Sequence, residues 1–222
     1  MDSKFDGVII VSGGLDSTTL LYHLVKQNLK ITALSFDYGQ RHSRELVCAC
    51  WQCDSLKVPH KIIDLGNIKQ LLQGSSLTSP EIVTPEGHYA QENMKLTVVP
   101  NRNMIMLSLA IACAISLKAP KVWYGAHAGD HAIYPDCRPA FVKAMQRTAD
   151  LCDWNPVDIE APFLGIDKAG IVSIGLELGV RYDQTWTCYS GREKACGKCG
   201  SCSERLEAFE KNHLKDPLEY EH

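Results

Sequence analysis

Apolar positions along the chain fall into short continuous runs, separated by stretches in which apolar residues recur every three or four positions. Val8-Ile9-Ile10-Val11 reads as a buried strand, and 16–27 follows as a helix with Leu20, Leu21, Leu24 and Val25 on one face. A strand over 31–36, a helix from about 42 to 56 and a short strand over 61–65 repeat the pattern. Strands alternating with helices predict an α/β fold with a parallel sheet covered on both faces. Beyond them, 103–117 is a strongly apolar helix expected to be buried, 122–126 a strand, and 138–151 an amphipathic helix. A last strand falls at 157–161, and a helix over 168–178 stops at Gly179. The stretch 74–92 is rich in Ser, Thr, Pro, Gly and Glu and predicts a surface loop, of a length usual only for lids or disordered segments.

Composition narrows this picture only slightly. A chain of 222 residues can bury a full core as one large domain with a small appendage. Its net charge of −3 carries no electrostatic footprint for nucleic acid, so none is expected as a partner. No apolar run is long enough to span a bilayer, and the N-terminus lacks the signature of a signal peptide. The expected location is cytoplasmic, without a membrane partner.

The first candidate chemistry lies where the first strand passes into the first helix, at Val11-Ser12-Gly13-Gly14-Leu15-Asp16-Ser17-Thr18-Thr19. Paired glycines permit positive φ and close approach of a phosphate to backbone N–H groups. The helix start adds unpaired N–H donors and the positive end of its dipole. A Walker loop would carry GxxxxGK and reach the phosphates with its lysine. This loop has no lysine, and its acid, Asp16, makes sense among phosphates chiefly as a ligand to Mg²⁺.

Ten cysteines bring the second. Cys188, Cys196, Cys199 and Cys202 crowd together near the C-terminus, and four thiolates are the set a closed, structural zinc prefers. A redox or sulfur-transfer pair is the competing reading of CxxC. Zinc here would pin the C-terminal segment, with the Leu206 and Phe209 face of a helix over 203–212 packed beside it. Cys48, Cys50, Cys53, Cys113 and Cys152 read instead as core filling.

Two polar strings complete the inventory. Val99-Pro100-Asn101-Arg102-Asn103 opens the apolar helix, and Arg102 offers a charged fork to a carboxylate or phosphate. After the fourth strand, GAHAGDHAIYPDCRP places Asp130, Tyr134, Asp136 and Arg138 where open α/β sheets bind ligands. His127 and His131 lack a third metal ligand.

Ser12 to Ser17 resembles the SGGxDS loop of the N-type ATP pyrophosphatases, the PP-loop superfamily. SGGLDSTT, FDYGQRH, VPNRN, GAHAGDHAIYPDCRP and WTCYSGREKACGKCGSCSER, in that order, resemble the 7-cyano-7-deazaguanine synthases (QueC) of that superfamily. The resemblance implies a Rossmann-like, adenine nucleotide alpha hydrolase-like domain over 1–184 and a zinc-binding segment over 185–222. It also implies queuosine biosynthesis, in which ATP activates 7-carboxy-7-deazaguanine, ammonia gives an amide, and a second activation gives the nitrile. Val11, Ser12, Gly13, Gly14, Leu15, Asp16, Ser17, Thr18, Thr19, Leu20 and Leu21, with Phe36 and Tyr38, would bind ATP. Asp16, Ser17 and Arg102 would be catalytic, and Mg²⁺ would sit near Asp16. Arg102, Asn103, Asp130, Tyr134, Asp136 and Arg138 would meet the substrate, and the enzyme would be a homodimer. Ala140 departs from the pattern, where an acid is expected. The open alternatives are a tRNA-modifying thiolase, transfer of the activated carboxylate to a protein amine, and a nucleotide sensor without turnover.

Overall fold

The computed structural model describes residues 4–41 and 43–221. Five strands, β1 (Gly7–Ile10), β2 (Ile31–Asp37), β3 (His60–Asp64), β4 (Lys121–Trp123) and β5 (Asp158–Glu160), pair in parallel in the order β3-β2-β1-β4-β5. Period-two alternation explains why helices lie on both sides: Val8 enters one apolar core and Ile9 the other. Leu107 and Ala110 of α3 (Arg102–Leu117) and Met145 of α4 (Pro139–Ala149) pack with Val8. On the opposite face, Ile9 meets α1 (Leu15–Lys26), α2 (Arg44–Ser55) and α5 (Lys168–Leu178) through Leu20, Ala49 and Ile171. The final helix, α6 (Gly200–Lys211), packs outside α5. The chain order leaves β1 and crosses back to β4, so the sheet's switch point lies between these two central strands.

The doubly covered parallel sheet is the expected one, and the differences are local. His42, near the expected start of α2, lies outside the described residues. The apolar helix α3 is not buried all round: the sheet covers the stripe through Leu107, Ala110, Ile111 and Ala114, while Met104 and Leu109 face out. Nor is 74–92 a surface loop along its whole length. Residues 75–79 are buried, with Ser76 N–H donating to Leu96 O at 2.7 Å and Thr78 Oγ1 to Leu72 O at 2.5 Å. Cys152 is exposed, although Cys53 fills the core as expected. On α6 the inward residues are Arg205, Ala208 and Phe209, and Leu206 is only half-buried. Phe209 meets Tyr182 edge-on in the second core, 5.4 Å between ring centres, and does not pack beside the cysteines.

Candidate functional site

Between the carboxyl ends of β1 and β4 opens a cavity of about 200 Å³. Its floor is the turn from β1 into α1. Gly13 has φ +86°, and a Cβ there would fall on the carbonyl of Glu45 in α2, so glycine is required by both backbone and space. Gly14 then takes the N-cap position with no side chain capping the helix, leaving the first N–H groups of α1 free for an anion. Ser17 Oγ closes the turn, accepting from Ser12 N at 3.1 Å and lying 3.0 Å from Ser12 Oγ.

Of the residues expected at ATP, Val11, Ser12, Gly14, Leu15, Asp16, Ser17, Phe36 and Tyr38 line the cavity. Gly13 shapes the turn from behind. Thr18, Thr19, Leu20 and Leu21 are buried and do not line it; Thr19 Oγ1 is spent on Leu15 O and Tyr182 OH, at 2.9 and 2.8 Å.

Arg102, Asn103 and Asp130 also line the cavity. Arg102 is surrounded by the hydroxyls of Tyr38 and Tyr134 and by Asp136. Burial pushes the Tyr38 hydroxyl up to about 12 against the pull of that guanidinium. Tyr134 stands one layer back, 2.5 Å from Thr97 Oγ1 and 3.3 Å from Tyr189 OH. Asp136 caps α3, accepting from Asn103 N at 3.1 Å, and does not line the cavity. Arg138 is exposed, donates to His131 O at 2.8 Å and stays outside as well. Ala140, where an acid was expected, lies exposed in the first turn of α4, so its identity does not alter the cavity.

Several lining residues were not among those expected at the site. Trp186, Thr187, Tyr189 and Ser201 come from the C-terminal segment, and Leu77 and Tyr89 from the 74–92 stretch. Lys168, at the start of α5, reaches the phosphate turn: its Nζ lies 3.3 Å from Asp16 Oδ2 and 2.7 Å from Glu204 Oε2. A lysine opposes the helix dipole at that position, and this was the one signal available. Burial alone would raise the Asp16 carboxyl, but the Lys168 ammonium outweighs it and holds Asp16 below the usual range. For Glu204 burial prevails over Lys168, and the carboxyl is pushed up. His127, fully buried, accepts from Gly129 N at its Nδ1, which places the ring proton on Nε2, 3.5 Å from Asp130 Oδ1 and 3.7 Å from Asp16 Oδ2. Tyr89 OH donates to Asp130 at 2.8 Å.

The four expected cysteines converge, with all sulfurs within 4.8 Å of one another. Tetrahedral Zn–S bonds of about 2.3 Å require sulfurs about 3.8 Å apart, which this cage meets with little adjustment. Backbone N–H groups already point at the sulfurs: Cys196 N at Cys188 Sγ and Cys199 N at Cys196 Sγ, both 3.3 Å. Donor set and surroundings fit a thiolate-bound metal.

A family model described as queuosine biosynthesis protein QueC matches residues 6–213. The chain belongs to the QueC family. It is 63% identical to the 7-cyano-7-deazaguanine synthase of Hahella chejuensis, over 96% of this chain and 92% of that one. It is 58% identical to 7-cyano-7-deazaguanine synthase 1 of Colwellia psychrerythraea, over 96% and 98%. In fold, this QueC chain is similar to an NMN synthetase from Francisella tularensis, with a TM-score of 0.54, 14% identity and coverage of 96% and 79%. A 4-thiouridine synthetase in complex with RNA gives a TM-score of 0.54 at 16% identity, over 90% of this chain and 50% of that one. The family uses ATP, and no described helix is long and apolar enough to cross a membrane.

Proposed function

We infer that the chain is an ATP-dependent carbon–nitrogen ligase that converts 7-carboxy-7-deazaguanine and ammonia to 7-cyano-7-deazaguanine. The carrying observation is the uncapped start of α1 opening into the same cavity as Arg102 and an aromatic wall, in a chain 63% identical to a synthase of that name. ATP adenylates first the acid and then the amide, and in each round pyrophosphate leaves. This chain's part is to bind and orient. The backbone N–H groups of Leu15, Asp16 and Ser17, with the Ser12 and Ser17 hydroxyls, hold the leaving pyrophosphate. Phe36 and Tyr38 offer an aromatic wall to adenine, and Arg102 draws the substrate carboxylate, an electrostatic and positional catalysis that needs no nucleophilic side chain.

Asp130 and Asn103 face the heterocycle directly, whereas Tyr134 and Asp136 act from behind the wall by fixing Tyr189 and Asn103. Asp16 Oδ1 is buried with no hydrogen-bond partner among the described residues, which suits it to hold Mg²⁺; the ion would neutralise phosphate charge. The cysteine cage would hold structural Zn²⁺. The enzyme works in the cytoplasm as a homodimer and without nucleic acid, in keeping with its resemblance and its net charge of −3.

Incubation with ATP, Mg²⁺, ammonium and 7-carboxy-7-deazaguanine is expected to give the nitrile by mass spectrometry. An amide or adenylate that never becomes nitrile would sink the assignment.

A further inference from the structure

Among the described residues, the phenols of Tyr38, Tyr89, Tyr124 and Tyr189 line the cavity. Three of these hydroxyls are spent. Tyr38 is bonded to the Arg102 guanidinium, Tyr89 OH donates to Asp130 Oδ1 at 2.8 Å, and Tyr189 OH lies 3.3 Å from Tyr134 OH. Tyr124 differs. The residue is 5% exposed, and its hydroxyl is buried with no hydrogen-bond partner among the described residues. An unpaired buried hydroxyl costs stability, and a phenylalanine of nearly the same shape would avoid that cost. Stability therefore gives no reason for the oxygen, and a ligand in the cavity does.

The fold also sets this residue beside the turn from β1 into α1. Tyr124 directly follows β4, its N–H donates to Glu160 O at 3.2 Å, and its ring belongs to the core under α3. The next residue, Gly125, lies so close to α1 that a Cβ there would come within 3.2 Å of Ser17 N. Burial, then Cys137, Asp136 and Asp130, push the Tyr124 hydroxyl above its ordinary value, so it stays protonated and keeps both a donor and an acceptor. Asp136 and Cys137 also act on Arg102, so the phenol and the guanidinium border the same corner of the cavity.

Two successive substrates must fit this one cavity if the acid is activated first and the amide second. Their reacting groups differ at one atom: a carboxylate oxygen, which only accepts, becomes an NH2, which only donates. Arg102 has only donors and suits the acid, whereas an ionised carboxylate has only acceptors and suits the amide. A hydroxyl suits both, because it donates to the oxygen and accepts from the nitrogen by turning its O–H. We propose that the Tyr124 hydroxyl meets this exchanged atom, and is the specificity-determining group that lets one cavity take the acid and then the amide. This rests on the reading of the chain as a ligase with two rounds of activation.

The test is Tyr124→Phe in the full-length chain, which removes one oxygen and keeps the ring. Acid and amide are supplied separately with ATP, Mg²⁺ and ammonium, and kcat/KM for each round is read by mass spectrometry. Calorimetry without ATP gives the affinity for each. The amide round is expected to fall by about tenfold to a hundredfold, because its NH2 loses its acceptor. The acid round should fall by about fivefold or less, because Arg102 still pairs the carboxylate. Amide should then accumulate when the variant starts from the acid, with KM for ATP and Tm unchanged. Equal slowing of the two rounds, or a variant that matches wild type in both, overturns the proposal and leaves the function standing. A lowered Tm with both rounds slowed alike marks the hydroxyl as structural and overturns it too. A wild-type chain that forms no nitrile overturns the function. The two affinities then decide the proposal: a greater loss for the amide supports it, and an equal loss overturns it.

Discussion

Arg205 and Asp216 form a fully buried ion pair, 0% and 1% exposed at their side chains, and they clasp the C-terminal segment to the domain. The guanidinium has five N–H donors, and every one is spent. Nε and one terminal nitrogen donate to Asp216 at 2.7 and 2.9 Å. The same terminal nitrogen donates to Tyr182 O at 2.9 Å, and the other to Thr185 and Thr187 hydroxyls at 2.7 and 3.1 Å. Asp216 in turn accepts from Leu218 N at 3.0 Å and Tyr220 OH at 2.5 Å. Asp216→Ala therefore strands a buried cation with two unmet donors, and also a backbone N–H and a phenol. The expected loss is about 3–5 kcal/mol, a third or more of an ordinary domain's stability.

Urea unfolding followed by tryptophan fluorescence reads this loss as a midpoint lowered by about 1–2.5 M, given a slope of about 2–3 kcal/mol/M. Arg205→Met with Asp216→Leu removes both charges and should recover most of the loss. A midpoint within 0.3 M of wild type in Asp216→Ala, or a double variant no better than the single, would refute the reasoning; 0.3 M is about 0.6–0.9 kcal/mol at that slope.

Three further outcomes are expected. Gly13→Ala should give insoluble or severely destabilised protein, because the added Cβ meets the Glu45 carbonyl backbone at a positive φ; soluble expression with a wild-type melting profile would contradict this. Cys199→Ser should lose zinc by elemental analysis and speed hydrogen exchange in 186–204 and 86–94 first, while β1 and β2 keep their protection. Burial pushes the Cys53 thiol and the Tyr38 hydroxyl each up to about 12, above their ordinary values. Their stabilising contribution is whole below pH 9 and 10 respectively and is lost as pH climbs to 12, at about 1.4 kcal/mol per unit per group. A urea midpoint that stays flat from pH 9 to 12 would contradict that sign.

The uncapped turn from β1 into α1 was legible because its determinants lie within ten consecutive residues, and the cysteine cluster because its members span fifteen. The strand and helix order was legible for a similar reason, since each element carries its own periodicity. What escaped was whatever the fold assembles from distant segments. Asp136, read as a substrate ligand, caps a helix that begins 34 residues earlier, since the Asp136 carboxylate is opposite the free Asn103 N–H only once β4 has crossed the sheet. Lys168 and Glu204, 36 residues apart, meet only because α5 and α6 pack together. The 74–92 stretch looked like a lid by composition. Its Ser and Thr side chains instead bond their own backbone, which lets residues 75–79 be buried without orphaned polar groups, Ser76 Oγ excepted.

The same contacts change how the C-terminal segment should be regarded. An appended module would touch the domain across one patch, but this one is threaded through the site. Trp186 N–H donates to Gly13 O at 3.0 Å, on the turn from β1 into α1. Arg44 stacks over the Trp186 ring at 4.4 Å, tying that strap to α2. Lys198 O accepts from Gly87 N at 3.0 Å, and this seats the segment that carries Tyr89. Glu204 then reaches Lys168 and, through it, Asp16. Each contact lies in or beside the run from Cys188 to Cys202 whose four sulfurs cluster. A turn that binds anions through backbone N–H groups must be rigid, because each donor is fixed only by the chain around it. In this chain the backbone that fixes the turn includes Trp186, whose N–H holds the Gly13 carbonyl from the segment that carries the cysteine cluster.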